Sequence, residues 1–285
     1  MSEKNIYVAT ETDAWRKTKI SRYSYEKGTI KYACEKVING TILNQFSMDE
    51  YEGNLRFAAT TYDDNGKTTN GLYIVDSSFK TIGSVSRLAP GERIYSARFM
   101  GESVYFVTYR ETDPLFLVDV SDPANPVVKD KLKIPGFSDY LHPFGENMLL
   151  GIGSIQDKEG NSYVKLSMFD ISNPEKVKEI HSKKLGKNTV QNMGSDHKGI
   201  VVDAERNRIA FGVENYDDTT DSFYEIFSYD KQKGFQNIAK LSLEESYSTE
   251  SRGLYIGDYF YLCKTSSGIC VYDTKKYKKI RSIAY

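Results

Sequence analysis

Short hydrophobic runs closed by an aspartate recur along this chain. They read Leu72-Tyr73-Ile74-Val75-Asp76, Leu115-Phe116-Leu117-Val118-Asp119, Leu166-Ser167-Met168-Phe169-Asp170, Ile226-Phe227-Ser228-Tyr229-Asp230 and Ile269-Cys270-Val271-Tyr272-Asp273. The aspartates step by 43, 51, 60 and 43 residues, and Arg22-Tyr23-Ser24-Tyr25-Glu26 fits the same slot 50 residues before Asp76. Runs this short, apolar and rich in aromatic and β-branched residues predict buried strands. In two copies the aspartate opens a longer polar stretch, Asp119-Val120-Ser121-Asp122-Pro123 and Asp170-Ile171-Ser172-Asn173-Pro174. Asp and Ser side chains bond nearby backbone amides and Pro ends ladder pairing, so these stretches predict turns. The alternative, a calcium loop, wants at least about six oxygen ligands, and the Asp-x-Asp-x-Asp-Gly run is missing.

A second motif precedes each aspartate run. In Ile94 to Val107 and in Gly253 to Leu262 two hydrophobic stretches flank Gly101-Glu102 and Gly257-Asp258, which predicts tight hairpins. Phe144-Gly145-Glu146-Asn147 and Glu52-Gly53-Asn54 repeat the turn, and Asp203 to Asn207 is a longer version. Hairpin, aspartate strand and following strand make four strands per unit, the pattern of a propeller blade. Complete units begin near Phe46, Ile94, Tyr140, His197 and Arg252. Residues 5–45 supply only three strands, at Ile6 to Thr10, Lys19 to Tyr25 and Thr29 to Val37. The expected fold is therefore all-β: one β-propeller domain over residues 1–285, with about six four-stranded blades near 5–45, 46–93, 94–139, 140–195, 196–250 and 251–285. The first blade is expected to be incomplete, because upstream chain was removed or because the ring closes with a three-stranded blade. Lys240 to Ser248 is expected as strand plus loop rather than helix.

Composition adds a few exclusions. The formal charge is −1, and Lys and Arg are scattered, so no basic stripe predicts nucleic-acid binding. No run approaches the roughly 18 apolar residues of a membrane helix, and the N-terminus lacks the apolar stretch of a signal peptide. Cys263 and Cys270 flank a predicted turn around Ser266 and Ser267, which would set them opposite each other and within reach of a disulfide. The alternative is two small buried hydrophobes, with Cys34 alone elsewhere.

The blade junctions carry longer strings. Leu43-Asn44-Gln45-Phe46-Ser47-Met48-Asp49-Glu50, Ala89-Pro90-Gly91-Glu92-Arg93-Ile94-Tyr95-Ser96, Asp113-Pro114-Leu115, Lys133 to Pro143 and Asp196-His197-Lys198 resemble a bacterial family of secreted proteins whose C-terminal β-propeller is distantly related to WD40 repeats. The resemblance implies a propeller from about residue 6 onward, an envelope or exported location and additional upstream sequence. It implies no activity.

Residues at the inward ends of the first strands of the blades are expected to converge on a channel mouth. Here they are Glu50, Arg98, His142, His197 and Arg252, with Asp49, Asp139 and Asp196 close by in sequence. One reading is a ligand site for an anion, a sugar or a metal; the other is a ring of charges that satisfy one another and lock the blades, because buried charges must be paired. His142, His197 and an aspartate would make a three-ligand metal set, although no spacing demands it and no cofactor is expected. Nucleophile-elbow, phosphate-loop and His-Glu-x-x-His motifs are missing from the sequence. His181 reads as a surface residue of an outer strand, and Trp15 as a local packing anchor. The expected function is a non-catalytic binding or scaffold propeller outside the cytoplasm, with a protein, glycan or small ligand as partner. The alternative is a hydrolase or lyase of polysaccharide or cell-wall material that uses carboxylates such as Asp49, Glu50 and Asp139.

Overall fold

A computed structural model describes residues 2, 4–12, 16–63, 65–109, 113–216, 221–243, 251–264 and 267–284, with the backbone alone at 113 and 221. Trp15, and the part of Lys240 to Ser248 beyond residue 243, lie outside the described residues. Six antiparallel sheets form. The first holds β1 (Asn5–Thr12), β2 (Lys17–Glu26) and β3 (Thr29–Ile38). The second holds β4 (Met48–Tyr51), β5 (Asn54–Tyr62), β6 (Thr68–Val75) and β7 (Thr81–Leu88); the third β8 (Arg93–Met100), β9 (Ser103–Tyr109), β10 (Asp113–Asp119) and β11 (Val127–Ile134). The fourth holds β12 (Phe137–Pro143), β13 (Met148–Gln156), β14 (Ser162–Asp170) and β15 (Lys178–Lys184). In the fifth, β16 (Thr189–Val190) and β17 (Val201–Asp203) both pair with β18 (Arg208–Asn215), followed by β19 (Asp221–Asp230) and β20 (Gly234–Ser242). The sixth holds β21 (Arg252–Ile256), β22 (Tyr259–Lys264), β23 (Gly268–Asp273) and β24 (Lys279–Ile283).

The chain divides into two compact units, residues 1–135 with 173–177, and residues 136–172 with 178–285. The first unit carries sheets one to three and the second carries sheets four to six. In sheets two to five the middle strands are buried on both faces, which is why their sequences read as continuous apolar runs rather than alternations. Leu72 and Ile74 of β6 meet Val104 and Phe106 of β9 and Val118 of β10 in one cluster. In the second unit Tyr224 and Ile226 of β19 meet Phe260, Leu262 and Tyr272 of the sixth sheet. Outer strands alternate instead: β15 has exposed and half-buried positions in strict succession.

The repeated aspartates act as turn anchors. Oδ1 of Asp76 accepts from the Ser78 amide and hydroxyl and from the Lys80 amide, at 2.8, 2.7 and 2.9 Å. Asp119 and Asp170 take the amides of Ser121 and Ser172, each at 2.9 Å. Asp230 takes those of Gln232 and Lys233, and Asp273 those of Lys275, Lys276 and Lys278. The Asp122 and Asn173 side chains of the longer stretches are likewise engaged, by the amides of Ala124 and Glu175. These oxygens serve the backbone, as the turn reading expects.

The same turns fasten neighbouring elements inside each unit. Lys36 of β3 donates to the Phe79 carbonyl at 2.8 Å. A Cβ on Gly83 of β7 would stand 2.3 Å from the Pro123 carbonyl oxygen, so only glycine lets that turn dock. The turn at residues 173–177, part of the first unit, reaches β11, where Val177 donates to Asp130 at 2.7 Å and Lys129 meets Glu175 at 2.9 Å. In the second unit His181 of β15 bonds the Tyr229 hydroxyl through Nδ1 at 2.9 Å and lies against Gly234. His181 is thus on an outer strand as expected, yet it is a half-buried fastener rather than a surface residue.

The cysteines depart from expectation. Cys263 pairs with Ile269, and Cys270 with Leu262. That register sits one residue away from the predicted one, and because strand side chains alternate faces, a one-residue slip puts the two thiols on opposite faces. Both are free, as is Cys34. The predicted turn centre was half a residue off; Gly268, with φ +97°, takes the left-handed backbone that closes the hairpin where it does.

Candidate functional site

The eight residues expected at a channel mouth fall into local partnerships. In the first unit Asp49 of β4 stands opposite Arg56 of β5 in the strand register. Arg56 Nε and Nη2 grip the Asp49 carboxylate at 2.8 and 2.5 Å, and Nη1 donates to the Gly101 carbonyl at 2.6 Å. Its guanidinium lies 4.5 Å from the Tyr51 ring centre and 5.4 Å from that of Phe99. Arg56 is 2% exposed, the largest fully buried side chain among the described residues. Planar bidentate geometry and stacking are what suit arginine to such a place.

Glu50, one position on, points to the other face of the strand. It accepts from Ser2 Oγ at 2.9 Å and from Asn5 Nδ2 at 2.9 and 3.2 Å. The Tyr7 hydroxyl also bonds Glu50, and burial together with that carboxylate raises its pKa. Glu50, Asp49, Tyr7 and Gln45 line a cavity of about 210 Å³. Arg98 of β8 covers the Phe46 ring at 4.1 Å.

In the second unit the first strand of the fifth sheet is interrupted between β16 and β17, and residues 191–200 make an excursion. Three of its side chains or backbone groups set the site. Gln191 donates to Asp139 Oδ2 at 2.7 Å. Asp196 takes a two-pronged grip from Arg252, Nη1 and Nη2 at 2.8 and 2.9 Å. The 3-10 turn His197–Gly199 that follows is held by the Tyr224 hydroxyl, which donates to the Gly199 carbonyl at 2.7 Å. Tyr224 fits because residue 253 is glycine: a Cβ there would stand 2.7 Å from the tyrosine oxygen and 2.6 Å from the Phe260 ring.

The excursion, β12, β17 and β21 enclose an open concavity of about 670 Å³, lined by Tyr140, His142, His197, Lys198, Arg206 and Tyr255 among others. His142 Nδ1 is 2.8 Å from the Tyr140 hydroxyl. Arg206 pairs with Asp203 at 2.7 Å and stands 5.8 Å from the Tyr255 ring. Lys198 is exposed. One lysine and one arginine charge thus face one carboxylate among these lining groups, beside two imidazoles, so the concavity leans positive. Asp139 lies outside this lining, half-buried, and burial pushes its carboxyl up to about 6 against the pull of Gln191. No neighbouring carboxylate contributes to that shift.

Of the sequence-predicted residues, then, His142 and His197 share one cavity, and Asp49 and Glu50 share another in the other unit. Arg252, Asp196 and Asp139 have fixed partners, and Arg98 has its ring. Among the described residues no three of His, Cys, Asp or Glu gather as metal ligands, so the His142–His197–aspartate set does not assemble there. Sequence reasoning missed Arg56, Gln191, Lys198 and Arg206. The only signal for the excursion was the pair of glycines at 194 and 199 around Ser195-Asp196-His197-Lys198.

An uncharacterized protein of Archaeoglobus fulgidus is 35% identical over 266 residues, 93% of this chain and 38% of that protein. One from Methanocaldococcus jannaschii is 47% identical over 150 residues, 52% of this chain and 24% of that protein. The chain therefore spans less than two fifths of the length of either relative, and both come from archaea rather than from the bacteria expected. Among solved structures, a protein from Lactobacillus plantarum superimposes with a TM-score of 0.52 at 14% identity, covering 99% of this chain and 82% of the other. A protein from Bacteroides uniformis solved as a candidate 6-phosphogluconolactonase gives 0.53 at 11%, covering 97% and 80%. These likenesses speak to fold alone. The model of the beta propeller domain matches residues 1–277, and with six sheets in blade order the chain belongs to the β-propeller domain family.

Proposed function

We propose that this chain is a binding or scaffold propeller acting outside the cytoplasm, and that it holds an acidic glycan or an acidic peptide segment in the Tyr140–His142–His197–Lys198 concavity. The observation that carries the reading is the excursion of residues 191–200. It interrupts an inner strand and is pinned by three separate bonds, and so presents His197 and Lys198 on an open, positive-leaning surface. Convergent polar groups in an otherwise apolar-walled hollow are the usual form of a ligand site. No helix among the described residues is long and apolar enough to cross a membrane. The location outside the cytoplasm rests on the sequence resemblance.

The test is calorimetric titration of the full chain with oligogalacturonate and with a poly-glutamate peptide at pH 6. Binding that falls at least tenfold in Lys198→Glu and His142→Ala, with unchanged melting temperature, supports the site. Binding equal to wild type in both variants places it elsewhere.

A second reading has one observation behind it. The Asp139 carboxyl, lifted to about 6, is in the range of a general acid. Turnover of a polysaccharide that follows a pH profile with a break near 6 and is abolished in Asp139→Asn would favour a hydrolase; no turnover across a glycan panel counts against it.

A further inference from the structure

The first unit holds another cavity, of about 300 Å³, between the end of β3 and the second sheet. Its walls are residues between 36 and 81, and β1 contributes none of them. β3 brings Lys36, Val37 and Ile38, β5 brings Phe57, and β6 brings Tyr73 and Val75. The Phe57 and Tyr73 rings stack with their centres 5.3 Å apart. Phe57 and Val75 belong to a buried cluster with Ile20 and Leu55, whereas Ile38 and Tyr73 pack against that cluster and stay half-buried. Tyr73 keeps its place because residue 71 is glycine: a Cβ there would stand 2.9 Å from the tyrosine oxygen. The hollow is thus walled mainly by apolar and aromatic groups that the strand register fixes in advance.

One cation stands at this wall. Lys36 Nζ donates to the Phe79 carbonyl at 2.8 Å and to Thr81 Oγ1 at 3.4 Å. Both acceptors are neutral, and an ammonium has three donors. Among the described residues no carboxylate comes within ion-pair distance of Lys36, and the adjacent Glu35 is taken by Lys19 at 3.7 Å. Lys129 of β11, which meets its own neighbouring turn, differs: it has Glu175 at 2.9 Å and Asp119 at 3.7 Å. Lys36 is half-buried, and a charge drawn out of water interacts more strongly with a counter-charge than a solvated one does. The size of the hollow sets the other limit. A dry cavity of about 150 Å³ takes a benzene ring, so this one has room for a ring with a short tail. Small-molecule sites pair such apolar walls with a few placed polar groups.

We propose that this cavity binds a small apolar monocarboxylate. Its ring or chain lies against Ile38, Phe57, Tyr73 and Val75, and its carboxylate accepts from Lys36. The ligand differs in kind from that of the concavity of residues 191–200: it has one charge and an apolar body, where that site takes a polyanion.

The probes are 4-phenylbutyrate and octanoate, with 4-phenylbutanol as the uncharged counterpart, titrated into the full nitrogen-15-labelled chain at pH 7. The expected result is saturable amide shifts at Val37, Ile38, Tyr73 and Val75, with 4-phenylbutyrate bound at least tenfold more tightly than the alcohol. Tighter binding of 4-phenylbutyrate assigns an aromatic acid, and tighter binding of octanoate an aliphatic one. Lys36→Met should bring the acid down to the affinity of the alcohol, and Lys36→Arg should keep the preference. Val37 is 53% exposed, so Val37→Trp fills the hollow from its rim and should weaken acid and alcohol alike at least tenfold; it carries the test if Lys36→Met fails to fold. No saturable shift at millimolar probe, equal affinity of wild type for acid and alcohol, an acid preference that survives Lys36→Met, or shifts that bypass these residues would each overturn the proposal.

Discussion

Replacing Arg56 by methionine tests the electrostatic argument most sharply. Methionine is close in length and keeps most of the apolar stem, so the loss is chiefly that of the guanidinium. Wild type has three hydrogen bonds there, two to Asp49 and one to the Gly101 carbonyl, at a side chain that is 2% exposed. Breaking a buried charge pair from one side costs about 3–5 kcal/mol. Asp49 retains 30% of its side-chain exposure and is partly rehydrated, which lowers the figure, while the stranded Gly101 carbonyl adds about 1 kcal/mol. The expected loss is about 3 kcal/mol. At roughly 2–4 °C per kcal/mol for a domain of this order of size, the melting temperature falls by roughly 6–12 °C. Differential scanning calorimetry reads it directly. Asp49→Asn added to Arg56→Met removes the orphaned carboxylate and should restore about 1–2 kcal/mol. A drop below about 2 °C in the single variant, or no recovery in the double, would refute the reasoning and make Arg56 a solvated surface charge.

Other outcomes follow from the same geometry. The carboxyls of Asp76, Asp119, Asp170, Asp230 and Asp273 are held below their usual range by turn amides and hydroxyls. Their stabilisation is complete above the unfolded carboxylate pKa of about 4 and disappears as pH falls through the lower folded values; thermal melts should fall steeply below pH 4, and Asp170→Asn should flatten that fall. Asp139 has the opposite sign: with its folded pKa near 6, stability is lost as pH rises from about 4 to 6, so Asp139→Asn should melt higher than wild type at pH 8 and equally at pH 4. Gly83→Ala forces a Cβ within 2.3 Å of the Pro123 oxygen and should destabilise by about 2 kcal/mol or more, read by urea denaturation, with a neutral result excluding the docked turn. Intact mass after alkylation in denaturant, without reductant, should show three modified thiols; two fewer would restore the disulfide.

The blade plan was legible because continuous apolar strand runs, aspartate turns and Gly-Glu or Gly-Asp hairpins are all local. The three strands of the first sheet fall at the residues the pattern indicates. What was not legible depends on register and tertiary neighbours. Arg56 sits in Asn54-Leu55-Arg56-Phe57, which on paper reads as a solvent-facing charge; only its pairing opposite Asp49 and the approach of Gly101 explain its burial. The partners of Glu50 and Arg252, Ser2 and Asn5 for one and Asp196 for the other, come from register and loop geometry that the spacing does not name. Cys263 and Cys270 failed by a single position, since a tight turn can close on either side of Ser266 and the side-chain face flips with each step.

The central claim is that the concavity framed by residues 191–200 is where this propeller binds. The most direct test is titration of wild type and Lys198→Glu with oligogalacturonate at pH 6 and pH 8. The account predicts saturable binding by wild type at both pH values and at least a tenfold loss in the variant at both. Binding that is indifferent to Lys198, or no binding of any acidic ligand at either pH, contradicts it.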